Sequence, residues 1–192
     1  MSGTYPSTTV FNSVGFTSKS YNLMSESLSG RTQVRNIGGQ RFEFKATYPP
    51  LTTSEFAPVY SFIMAQNGMA ETFQIVLPEI SSKSGNATGT VQTVGADSIG
   101  ETSIVIDGLS GTLKAGDVIK FANHNKVYMI VSDLTGSGTL TIEPALREAT
   151  ANDTAITYDN VPFTVRLNND LQQYSVGLAS LVKYEVDFIE AI

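Results

Sequence analysis

Residues 104–146 read IVIDGLSGTLKAGDVIKFANHNKVYMIVSDLTGSGTLTIEPAL, and this stretch decides the fold. Short apolar segments at 104–106, 118–121, 127–131 and 140–142 alternate with turn chemistry. The turns are Asp107-Gly108, Ala115-Gly116-Asp117, Asn123-His124-Asn125 and Gly136-Ser137-Gly138. Strands this closely spaced, with such turns, predict a small closed or half-closed barrel. The sequence on either side reads as a different domain cut in two, so the barrel is an insertion.

Upstream, residues 41–47 alternate strictly, with Phe42, Phe44 and Ala46 on one face. A period of two marks a half-buried strand, and Pro49-Pro50 ends it. A helix follows. Thr52 and Glu55 have capping-box spacing, and Phe56, Val59, Tyr60, Ile63 and Met64 form one apolar stripe. Pro58 conflicts with a cap at Thr52, because its ring would meet the carbonyl of Ser54. Ser54 is therefore an alternative cap, and Gly68 is the stop signal. Phe73, Ile75 and Leu77 alternate again. Residues 1–40 are Ser/Thr/Gly-rich and read as loosely ordered until something packs on them. Residues 81–100 and 147–159 read as linkers. Beyond them, Phe163, Val165 and Leu167 alternate, and then Val182, Tyr184, Val186 and Phe188, the cleanest strand pattern in the chain.

Each flanking strand hides one face, the pattern of a mostly antiparallel sheet with a helix packed on it. Neither flank holds enough strands to close a core alone. The predicted organisation is a first part over 1–83, an inserted barrel over 84–157, and a second part over 158–192 that completes the first.

Charged residues make up 16% of the 192 residues, against roughly 25% in soluble domains. Either partners cover much of the surface, or neutral polar groups replace charge. Net charge is −6, which disfavours a sequence-specific nucleic-acid binder. The acidic excess lies in the second half, with eight acidic against four basic residues over 84–157 and five against two over 158–192. Cysteine is absent, which removes disulfides, thiolate metal sites and a cysteine nucleophile. The N-terminus lacks a secretory pattern, and no apolar run reaches the roughly 20 residues that span a bilayer. The expectation is a chain made in the cytoplasm, with no membrane partner.

Chemistry-bearing constellations are sparse. His124 is the sole histidine and reads as a turn residue. One histidine without cysteine does not make the usual zinc set, and no nucleophile elbow surrounds any serine. The glycine-rich turns lack the lysine and helix of a phosphate loop. No catalytic residue, metal or cofactor is predicted, although a carboxylate-only enzyme remains an alternative. Tyr128 is the candidate residue for stacking on a surface glycan, set against a buried or interface tyrosine.

The order of Tyr48-Pro49, a helix, Val76-Leu77-Pro78, Leu113-Lys114-Ala115-Gly116-Asp117, Lys126-Val127-Tyr128 and TLTIEPAL at 139–146 resembles the distal tail proteins of long-tailed bacteriophages. The resemblance is to the kind with an OB-fold inserted into a ring-forming domain, and it runs from about Gly39 to Phe188. It implies a mainly β fold: a tail-tube-like β-sandwich or barrel with one α-helix, interrupted by a small OB-fold-like barrel. It implies a structural, non-enzymatic role in the virion tail. The partners it implies are further copies in a hexameric ring, the tail tube protein, and tip or baseplate hub proteins. Genomic DNA would pass through the channel. Asp170, Glu185 and Asp187, in the acidic C-terminal segment, are the candidates for lining that channel. A carbohydrate-binding module reading host surface glycan is the alternative function. A tube, terminator or adaptor subunit is the alternative within the same fold.

Overall fold

A computed structural model of the chain describes residues 3–6, 11–177 and 180–192. The strands before the barrel are β1 (Ser13–Glu26), β2 (Thr32–Thr47), β3 (Leu51–Thr52) and, after the helix α1 (Thr53–Ala65), β4 (Phe73–Ile75). Next come β5 (Gln92–Thr93), β6 (Ser103–Asp107), β7 (Thr112–Leu113), β8 (Val118–Phe121), β9 (Val127–Ile130), β10 (Leu134–Thr135), β11 (Gly138–Glu143) and β12 (Ile156–Thr157). The chain ends with β13 (Phe163–Leu167), β14 (Tyr174–Val176) and β15 (Leu181–Glu190). Among the described residues the fold is mainly β with one α-helix.

The larger sheet is antiparallel and runs β1-β2-β15-β13-β4. The long strand β15 organises it. Its C-terminal half pairs with β2 and β13, and its N-terminal half pairs with β3 and β14. Alternation explains the packing. Val182, Tyr184, Val186 and Phe188 are buried, while Lys183, Glu185 and Asp187 face solvent. The helix lays Phe56, Val59 and Ile63 on this core. Phe42, Phe44, Phe73, Phe163 and Phe188 fill its centre. Burying each such ring contributes about 1.5–3 kcal/mol. Tyr5, beside β4, shares a buried hydroxyl–hydroxyl hydrogen bond with Tyr48.

The cap of α1 is Thr52, not Ser54. Its N–H and hydroxyl both donate to the Glu55 carboxylate, at 2.9 and 2.7 Å. The helix continues through Pro58 and ends before Gly68, whose φ is +65°. Met64 falls off the buried stripe and is exposed.

The smaller sheet runs β12-β8-β9-β11-β6-β5. Its ends meet: Gln92 bridges Ala155, and the Ile156 N–H donates to the Val91 carbonyl at 2.9 Å. The segments read as linkers therefore supply β5 and β12, the strands that bring the barrel's edges together. The linker reading failed because both strands are two residues long and carry little periodicity. Ile104, Ile106, Phe121, Tyr128, Ile130, Leu140 and Ile142 fill the interior. Gly108, at φ +74°, lies so close to the Thr90 carbonyl that a Cβ would collide with it.

All four residues of β8 are buried, because both of its faces are covered. Ile119 and Phe121 point into the barrel, whereas Val118, together with Val127 of β9, joins the core of the larger sheet. The barrel thus rests directly on that sheet.

Residues before 41 depart most from expectation. They form β1 and the first half of β2, a hairpin paired from Ser13↔Thr47 out to Glu26↔Thr32. Residues 1–2 and 7–10 of this stretch lie outside the described residues. The hairpin was not legible because its outer half has no buried face and so no apolar period.

Candidate functional site: the joint and the open edges

The densest polar constellation lies between barrel and sheet. Lys126, just before β9, meets Glu190, the last residue of β15, at 2.5 Å between Nζ and Oε2. Both side chains are essentially without solvent exposure. Lys126 also donates to Gln40 Oε1 at 2.6 Å and lies 4.4 Å over the Phe42 ring. Glu190 accepts the backbone N–H of Phe42 through Oε2 at 3.1 Å and that of Val127 through Oε1 at 3.0 Å. Burial pulls the Lys126 ammonium down, and the Glu190 carboxylate opposes that pull. Buried charges are tolerated where they are paired and hydrogen-bonded on every side. The arrangement is structural: it fixes one orientation of the barrel on the sheet. A sequence signal for it exists. Glu190 continues the inward positions 182, 184, 186 and 188, and a carboxylate at an inward position requires a partner.

A second polar node sits where the chain enters the barrel. Asp117 accepts from the backbone N–H and hydroxyl of Ser84 at 2.8 and 2.6 Å, and from the backbone N–H of Lys114 at 2.9 Å. The aspartate of the Ala115-Gly116-Asp117 turn is thus a clamp on that entry point.

Tyr128 is not a surface residue. It is fully buried, 5.5 Å from both the Phe121 and His124 rings, and its hydroxyl accepts the Arg147 N–H at 3.1 Å. Desolvation pushes its hydroxyl up to about 12. The reading of Tyr128 as a glycan platform is corrected on that ground: the ring has no free face on which a sugar could stack. His124 sits in the predicted turn but is also buried, and neither ring nitrogen has a partner among the described residues. Desolvation lowers its pKa below the usual 6.5, with Glu148 opposing and Lys120 adding to the shift.

The three candidate channel acids do not come together as a set. Glu185 and Asp187 share the exposed face of β15, where Lys45 pairs with Glu185 at 3.1 Å. Asp170 lies after β13 and accepts the Met69 N–H at 2.9 Å, at the far end of α1. Among the described residues, no group of three or more His, Cys, Asp or Glu could hold a metal ion. No described helix is long and apolar enough to cross a membrane.

The sheet's edges are the remaining exposed feature. On one side β4 is covered by a parallel bridge between Thr4 and Gln74. The outer edge of β1 and the outer edge of β14 have no strand partner among the described residues.

Residues 80–161, which contain the whole barrel, match the family described as Distal tail protein pb9, B domain. The chain is also 24% identical over 166 residues to Distal tail protein pb9 of Escherichia phage T5, covering 83% of this chain and 80% of that protein. Both matches support a bacteriophage distal tail protein. The likeness indicates a location in the virion tail and supports a structural role there. At 83% of the chain, the second similarity necessarily reaches beyond the barrel into the flanking residues.

Proposed function

We propose that this distal tail protein is a non-enzymatic ring subunit that joins the tail tube to the tip or baseplate hub. Residues 1–83 and 158–192 would make the ring-forming domain, and 84–157 the inserted barrel, carried on the ring's outside. Several copies, six by the resemblance, would surround the channel through which the genome passes. The observation that carries this reading is the pair of unlike open edges, β1 and β14, on a sheet of a distal-tail-like chain. Open edges are a hazard in a free monomer, and a head-to-tail contact that closes yields a ring. The low charge content fits a surface that is largely covered on assembly.

In this arrangement the exposed face of β15 is the candidate channel wall, with Glu185 and Asp187 repelling DNA phosphate. Asp170, held at the end of α1, is the least suited of the three to that role. The glycan-binding alternative has lost Tyr128, the residue on which it rested. Depleting the chain during infection tests the proposal. Finished tubes without attached tips are expected, whereas complete tails assembled without the chain would contradict it.

A further inference from the structure

Beyond the Tyr21/Asn22 register shift, the β1–β2 hairpin becomes a bare two-stranded ribbon. Every residue from 22 to 38 is exposed. Isolated two-stranded hairpins are marginal in water, and this one displays Leu23, Met24, Leu28, Val34 and Ile37. Met24 and Val34 face each other across the ribbon and are 71% and 64% exposed. Ordered apolar side chains on a ribbon with no core of its own require a partner.

Charge selects among partners. Over residues 14–42 the basic side chains are Lys19, Arg31, Arg35 and Arg41, and Glu26 is the only carboxylate. Glu43 takes the charge of Lys19 at 3.0 Å, and no described carboxylate pairs with Arg31 or Arg35. The rest of the chain holds seventeen carboxylates against eight basic residues. The matching apolar surface is at the other open edge. Leu171 and Val176 are 72% and 59% exposed, and Tyr174 is also exposed. Asp170 adjoins Leu171 in the chain, whereas Glu185 is held by Lys45 at 3.1 Å and Lys183 stands opposite Ser175.

We infer that the β1–β2 ribbon of one copy docks on the β14 edge of the next. Leu23, Met24 and Val34 cover Leu171, Tyr174 and Val176, and Arg31 and Arg35 lie toward Asp170. The partner is a second copy of this chain, because one molecule carries both unlike halves of the contact. The inference rests on the ring reading and gives it a specific interface.

The absence of native cysteine makes the test clean. Full-length Met24→Cys and Val176→Cys variants are mixed and treated with a short bismaleimide, while assembly state is read by imaging. A heterodimer at least tenfold more abundant than either single-variant product is expected, with a ladder from the double variant. Arg31→Glu/Arg35→Glu is expected to weaken self-association tenfold or more at low salt. Closed rings without this cross-link would overturn the ribbon contact and leave the ring intact. Linkage of Met24→Cys to itself would overturn the head-to-tail arrangement. Monomers without any linkage would overturn both readings.

Discussion

Lys126 of the inserted barrel and Glu190 of the last strand form an ion pair with almost no solvent exposure, 64 residues apart in sequence. Two backbone N–H groups and the Gln40 carbonyl complete it. The pair ties the barrel to the sheet at one angle. Removing one partner strands a buried charge, which costs about 3–5 kcal/mol. Lys126→Met is therefore expected to lower unfolding free energy by that order in urea titration. Adding Glu190→Gln should recover part of the loss, because Gln still accepts a backbone N–H. Equal stability of Lys126→Met and the parent chain would contradict the role assigned to the pair.

The buried His124 gives the chain a pH dependence with a definite sign. Its folded pKa lies below the ordinary 6.5, with desolvation as the main cause. The unfolded state then binds the proton more readily, so stability falls as pH drops below about 6.5. The loss stops once pH passes below the folded value. Urea midpoints at pH 7.5 and 5.5 are expected to differ in the parent chain and to converge in His124→Phe. A midpoint shift in His124→Phe as large as in the parent would remove the explanation.

Tyr128 separates the packing reading from the binding reading. Tyr128→Phe leaves the Arg147 N–H without its acceptor and is expected to cost about 1 kcal/mol. Tyr128→Ala opens a cavity in the barrel and is expected to cost about 3–5 kcal/mol. Calorimetric melting of both variants checks this. A Tyr128→Ala chain as stable as the parent would return Tyr128 to the surface.

At the start of α1, Thr52→Ala removes the cap hydroxyl. A loss of about 1 kcal/mol is expected, read as a lower urea midpoint at unchanged slope. No loss would place the helix start two residues later, at the alternative Ser54.

Legibility in the sequence followed burial. The strands with one wet and one dry face, around Phe42, Phe163 and Val186, could be read directly from their period of two. The barrel could be read from its turns. The β1–β2 ribbon was missed because it hides nothing within one copy. The strands β5 and β12 were missed because two residues cannot show a period. The Lys126–Glu190 joint depends on bringing β9 against β15, which no local pattern encodes, although the inward position of Glu190 marked a carboxylate in need of a partner. Tyr128 alternates with Ile130 along β9, and both are buried in the barrel. Its burial was thus available from the spacing, but the barrel's turn-rich composition suggested more exposed surface than the closed form leaves.

Closure of this chain into a ring is tested most directly by the absolute mass of the purified full-length protein, measured together with its electron-microscopic image. One closed assembly with an axial hole and barrels on its outer rim is expected, with a mass equal to a whole number of chains. A single-chain mass at high concentration, or open filaments without a closed form, would contradict it.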